Sequence, residues 1–140
     1  MAAVPFLTPL KRIPGAAGDV LHVLKASSPG YVGFGEAYFS EIHGGVTKSW
    51  RRHKRHTLNL VVPRGSVRFV VHDDEKTGEE SFSDFLIGDV NYARLTIPPG
   101  LWLAFRGLGP GTSLILDITD GEHDPAEAEA RDLAAIQFRW

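Results

Sequence analysis

The chain has no cysteine and a single methionine. Without thiols it forms no disulfide, holds no zinc through sulfur and uses no thiolate as a nucleophile. The absence fits a reducing compartment, and a cytoplasmic location is expected. Long hydrophobic runs are also missing. No stretch approaches the roughly 20 apolar residues that a bilayer-spanning helix needs, so no membrane partner is expected. The first residues, Met1-Ala2-Ala3-Val4-Pro5, lack the charged-then-apolar pattern of a secretory leader. There is no internal repeat, no Walker-type phosphate loop, no dinucleotide fingerprint and no Gly-x-Ser-x-Gly elbow.

What is present is enough for one core. Of 140 residues, 43% are hydrophobic, which suits one domain spanning 1–140. The formal net charge is −2. General nucleic-acid binders are usually basic, so no nucleic acid is expected as a partner. That small total hides an uneven distribution. Five of the fifteen Lys and Arg fall at Lys48, Arg51, Arg52, Lys54 and Arg55, which leaves ten basic against seventeen acidic residues elsewhere. A local charge of +5 on an otherwise acidic chain attracts an anion.

Strand signals dominate. Val20 to Lys25, Tyr31 to Ile42, Thr57 to Val62, Val67 to His72, Ser81 to Ile87, Tyr92 to Ile97, Leu101 to Arg106 and Thr112 to Thr119 alternate or run apolar between Gly/Pro turns. Pro63 to Ser66 reads as the turn of a hairpin whose second arm starts at Val67. Spacings of about 8–12 residues argue an all-β sandwich or barrel. One short helix is expected near the end: Asp124 can cap it, Pro125 suits its first position and Glu127 completes a capping box. The apolar tail, Ile136 to Trp140, is expected to dock on the body.

In an extended segment Arg51, His53 and Arg55 share one face, with Trp50, Arg52, Lys54 and His56 on the other. Two guanidiniums then flank an imidazole. Arginine grips phosphate through a planar fork of donors, and imidazole moves protons near neutral pH. A solvated edge strand with protective charges is the plainer alternative. His53 and His56, three apart, should diverge in a strand, and no acidic residue lies between Ile42 and Asp73 to complete a mixed site. No metal and no other cofactor is therefore expected. Trp102 and Phe105, behind the Pro98-Pro99-Gly100 turn, are candidates for stacking a base or sugar, or for core.

Several segments together resemble the dTDP-4-dehydrorhamnose 3,5-epimerase group of the cupin superfamily: GDVLHVLK (18–25), GVTKSW (45–50), RHKRHTLNLVVPRGSVRFVVHDD (52–74), NYARLTIPPGLWLAFRGLG (91–109) and HDPAEAE (123–129). The resemblance implies a jelly-roll β-sandwich, a homodimer and metal-free chemistry. The implied substrate is a nucleoside-diphosphate 4-keto-6-deoxyhexose, in deoxysugar or surface-polysaccharide biosynthesis. Epimerisation beside a ketone needs a base for the C–H proton and a cation for the enolate oxygen.

The chain departs from the group at the reacting positions. The group's Arg-Gly-Leu-His motif falls on Lys48-Ser49-Trp50-Arg51, so its base histidine is Arg51. Its second histidine falls on Leu103, its tyrosine acid near Leu116 and its lysine on Leu58. The broad cupin metal pattern falls on Arg51, His53, Leu58 and Leu103, only one of which is a ligand type. The catalytic set expected here is His53 as replacement base, Lys48 to polarise the ketone and Tyr92 as proton donor. Arg51 and Arg55 are expected to hold phosphate, with Trp102 and Phe105 against the substrate. A catalytically silent cupin that binds a nucleotide sugar or regulates a partner enzyme is the alternative, and a sugar ketoisomerase is a third reading.

Overall fold

The computed structural model describes residues 3–140; Met1 and Ala2, part of the segment read above for a leader, lie outside the described residues. Twelve strands account for the described secondary structure, apart from two short 3-10 turns. They are β1 (Phe6–Pro9), β2 (Arg12–Ile13), β3 (Val20–Leu21), β4 (Glu36–His43), β5 (Thr47–His53) and β6 (Leu58–Arg64), followed by β7 (Ser66–His72), β8 (Phe82–Gly88), β9 (Ala93–Ile97), β10 (Trp102–Gly107), β11 (Thr112–Thr119) and β12 (Ala128–Ala130). One five-stranded sheet has the order β1-β9-β6-β11-β4, a second the order β12-β5-β10-β7-β8, and β2 and β3 form a separate pair. The strand pairs are antiparallel. This is the expected all-β jelly-roll sandwich.

Apolar side chains from both sheets meet in one core that includes Leu60, Phe69, Leu95, Leu103 and Ile115. The two-residue period of a strand decides which side chains reach it. On β7, Val67, Phe69 and Val71 face this core while Val70 faces outward. The outward face of the second sheet is not bare. Trp50, Val70, Trp102 and Ala104 form a second cluster, covered by Leu133, Ile136, Phe138 and Trp140. The C-terminal tail thus docks on the back of β5 and β10, as its apolar composition requires.

The outer face of the first sheet carries a buried cation. Arg94 is 1% exposed. Its guanidinium donates to Asn59 Oδ1 and to the carbonyls of Val23 and Pro29, at 3.1, 2.7 and 2.7 Å. These bonds clasp the 22–30 segment to the sheet. Burial lowers the Arg94 pKa, and three oxygen acceptors replace the water it loses.

Two local expectations are corrected. The 63–66 turn does not close a hairpin: β6 and β7 belong to different sheets, and the chain crosses the sandwich at Gly65. Gly65 has φ +98°, and a Cβ there would lie 2.2 Å from Ser113 Oγ, so the crossing needs glycine. No helix follows Asp124 either. The capping signal yields a single turn, with the Ala126 N–H donating to Asp124 Oδ1 at 3.0 Å. The chain then pairs as β12 with β5, Ala128 opposite His53 and Ala130 opposite Arg51. Strand pairing along an open edge outweighs the helix propensity of the alanines.

Candidate active site

Between the sheets lies a cavity of about 340 Å³. Its floor is apolar, built by Leu58, Leu60, Phe69, Leu103, Phe105 and Ile115. Its polar side chains come from three strands: Tyr38 and Ser40 on β4, Lys48, Arg51 and His53 on β5, and Asp117 on β11. His56, just past β5, joins them.

Of the residues expected to act together, Lys48, Arg51, His53 and Phe105 do meet in this cavity. The alternation of β5 brings Arg51 and His53 inward and sends Trp50 to the outer cluster. The other expected residues lie elsewhere. Arg55 follows the end of β5, is largely exposed and pairs with Asp124 at 3.3 Å. Trp102 is completely buried in the outer cluster, because it alternates with Leu103 on β10. Its indole donates to Asp74, with Arg52 and Arg131 packed over its ring at 4.5 and 4.4 Å. Tyr92 spends its hydroxyl on the His22 carbonyl at 2.8 Å, helping to hold the 22–30 segment. None of these three lines the cavity.

The charge concentration also resolves into pairs. Arg52 donates to Asp74 and Glu129, both at 2.9 Å. Lys54 donates to the Ala126 carbonyl. Among the described residues Lys48 has no carboxylate partner; it donates to the Glu41 carbonyl at 2.6 Å, near the Phe105 ring. Arg51 makes no ion pair among the described residues. Of the cations without an ion pair among the described residues, Lys48 and Arg51 line the cavity, whereas Lys54 lies outside it.

His53 is set by a residue that strand reading missed. Glu127 is 1% exposed, and its Oε1 lies 2.6 Å from His53 Nδ1. Its other oxygen accepts the backbone N–H groups of Arg55 and His56 at 2.8 and 3.0 Å. Burial works to raise the Glu127 pKa. The Arg55 amide, the His53 ring and the His56 amide outweigh it and bring the value down to about 2. The carboxylate is thus anionic and fixes the His53 ring, whose remaining nitrogen is free to take a proton. The divergence expected of His53 and His56 does not occur. The strand stops at His53, the chain turns through Lys54 and Arg55, and the two rings stack with centroids 5.7 Å apart. His56 Nδ1 approaches Glu127 Oε1 to 3.2 Å.

Among the described residues, His53, His56 and Glu127 are the set that could hold a metal ion, with donor atoms within 4.8 Å of one another. In the arrangement seen, both Nδ1 atoms face Glu127 Oε1, and the other carboxylate oxygen accepts two backbone amides. The signal for Glu127 was its place in the HDPAEAE segment, which was read as a helix cap.

Across the cavity, Asp117 stands opposite Tyr38 in the β4–β11 ladder. Burial pushes the Asp117 pKa up to about 6, against the lowering effect of hydrogen bonds from Tyr38 and Ser40. Burial and the neighbouring carboxylate push the Tyr38 hydroxyl up to about 12. The cavity therefore has an imidazole held by a carboxylate on one side and a tyrosine–carboxyl pair on the other. Two free cations lie between apolar and polar walls. Such a site can take a proton from carbon, stabilise the resulting oxyanion and return a proton.

The fold is shared with known proteins over nearly the whole chain. A solved dTDP sugar isomerase from Desulfovibrio desulfuricans G20 superposes with a TM-score of 0.87 at 34% identity, over 94% of this chain and 85% of that one. The chain belongs to the dTDP-sugar isomerase family. A dTDP-4-dehydrorhamnose 3,5-epimerase from Sulfolobus tokodaii has the same fold, with a TM-score of 0.79 at 22% identity over 96% of this chain and 80% of that one. A probable low-salt glycan biosynthesis epimerase of Haloferax volcanii is 26% identical over 91 residues, covering 63% of this chain and 58% of that protein, less than two thirds of its length. No family model matches the chain. Leu58 and Leu103, where the resemblance places a lysine and a histidine, are both part of the apolar lining.

Proposed function

We propose that the protein is a metal-independent sugar-nucleotide isomerase. It acts on a nucleoside-diphosphate 4-keto-6-deoxyhexose, in deoxysugar or surface-polysaccharide biosynthesis. The observation that carries this reading is the His53–Glu127 pair on a cavity whose free cations are Lys48 and Arg51. His53 removes the proton beside the ketone. Lys48 stabilises the enolate oxygen, Arg51 holds the diphosphate and Phe105 packs against the sugar or base. Tyr38 takes the donor role first assigned to Tyr92, since its hydroxyl is at the cavity wall. Removing one C–H proton with a positioned base contributes on the order of 10²–10⁴-fold to such a step.

The same reading treats residues 1–140 as one cupin-like unit that works as a cytoplasmic homodimer. The exposed apolar side chains of Phe34 and Phe39, 65% and 64% accessible, support a partner surface beside β4.

The test is deuterium exchange. The protein is incubated with dTDP-4-keto-6-deoxyglucose in D₂O, and the sugar C3 and C5 protons are followed by NMR. Loss of either signal, abolished by His53→Gln and retained after chelator treatment, supports the isomerase. Binding without exchange favours the silent nucleotide-sugar binder, for which the apolar residues at positions 58 and 103 speak. No binding at all sinks both.

A further inference from the structure

A second cavity, of about 280 Å³, lies on the other side of the histidine pair. His53, His56 and Tyr38 line both cavities, so the pair forms part of the wall between them. The outer cavity is otherwise bordered by Glu36, Gly121, His123 and Asp124, with His123 exposed. His56 is oriented toward it. A Cβ on Gly121 would come within 2.1 Å of His56 Nε2, so that nitrogen lies directly over the Gly121 backbone. The opposite ring nitrogen faces the carboxylate oxygen that also holds His53.

We propose that His56 is a second proton carrier, which shares Glu127 with His53 and passes protons between the substrate cavity and the outer one. This deepens the isomerase reading and rests on it for the substrate. When substrate fills the inner cavity, a proton taken by His53 has no aqueous exit on that side. The C–H bond breaks, its electron pair remains on the substrate as the enolate, and the proton bonds to the free nitrogen of His53. In one concerted shift across Oε1, the Nδ1 proton of His53 moves to His56 Nδ1. His56 releases its Nε2 proton to solvent in the outer cavity. Glu127 is anionic before and after, in keeping with its low pKa. Return of a proton runs the same steps in reverse. The titratable and charged groups facing His56 are Glu127 and His53 directly, Tyr38, Glu36, His123 and Asp124 around the outer cavity, and Lys48, Arg51 and Asp117 across the inner one.

Two measurements test this, one of them without substrate. In ¹⁵N NMR of histidine-labelled protein, His53→Gln should move the titration midpoint of His56, and Glu127→Gln should move both histidines. An unchanged His56 titration in His53→Gln overturns the proposal, whatever the activity. With sugar nucleotide deuterated beside the ketone and turned over in H₂O, the wild type should wash the label out. His56→Gln should retain a larger fraction of label in product, with kcat reduced about tenfold, the lower end of a general acid–base contribution, and KM unchanged. A slower variant with the wild-type label fraction assigns His56 a structural role only and overturns the relay. A wild type that never enolises the sugar sinks the isomerase reading, while the titration still decides whether His53 and His56 are coupled.

Discussion

Tyr38 and Asp117 stand directly opposite each other across the β4–β11 ladder. Neither group was singled out by the sequence, and together they form the wall facing His53. Asp117 titrates at about 6 in the folded protein against 3.8 for an ordinary aspartate. The folded state therefore holds this proton more tightly than the unfolded chain, and stability falls as pH rises from 3.8 through about 6. The loss is roughly 3 kcal/mol at 1.36 kcal/mol per pKa unit. Asp117→Asn should flatten that slope, seen as a smaller change in Tm between pH 4 and pH 7 by calorimetry.

Glu127 works in the opposite sense. Its pKa of about 2 lies below the ordinary 4.5. The stabilisation is complete above 4.5 and disappears as pH falls toward 2. Glu127→Gln should be less stable by about 3 kcal/mol at pH 7 on the same conversion. The difference from wild type should narrow as pH falls from 4.5 toward 2, to less than half at pH 3. Urea unfolding at pH 7 and pH 3 measures both.

Arg51 should matter for binding more than for chemistry. It is the arginine of the basic segment that lines the cavity without a carboxylate partner. Arg51→Gln should weaken dTDP binding on the order of tenfold, the scale of a charge-assisted hydrogen bond at about 1.5 kcal/mol. The wild-type affinity should fall with salt more steeply than that of the variant. Calorimetric titration at two ionic strengths tests it.

Trp102 should be a stability residue. Buried in the outer cluster, it cannot stack on a ligand in the cavity. Trp102→Ala should cost about 3–5 kcal/mol, as large aromatic truncations do. In protein that remains folded, dTDP affinity should be unchanged. Weakened binding by folded Trp102→Ala would restore the stacking role.

The sandwich was legible because its signals are local. Alternating apolar residues and Gly/Pro turns mark strands wherever they occur, and the inward face of β5 was read correctly for Arg51 and His53. What failed depended on where a strand ends or where a distant segment lands. Arg55 and His56 were assigned faces as if β5 continued, but it stops at His53. Trp102 and Phe105 were treated alike, yet three residues along a strand place them on opposite faces. Glu127 looked like a helix cap because its real partners, His53 and the amides of Arg55 and His56, are more than 70 residues away. Tyr92 met the chemical requirement for a donor, but its hydroxyl serves the 22–30 segment. Side-chain type was visible in the sequence; convergence across the sandwich was not.

The two-faced character of β5 also bears on how the chain can vary in length. The exposed positions 75–77 can gain or lose residues with little effect on either face, provided that Asp74 keeps its bonds to Arg52 and Trp102. β5 carries an irregularity between Lys48 and Arg51; past it, within 50–53, removing one residue would exchange the faces of every side chain on one side of the gap. Trp50 would then be driven into the substrate cavity, or Arg51 into an aromatic stack. Substitutions on this strand change one wall at a time, whereas a single-codon deletion would disturb binding and folding together. Length variation among descendants of this chain should therefore be confined to the loops and leave β5 untouched.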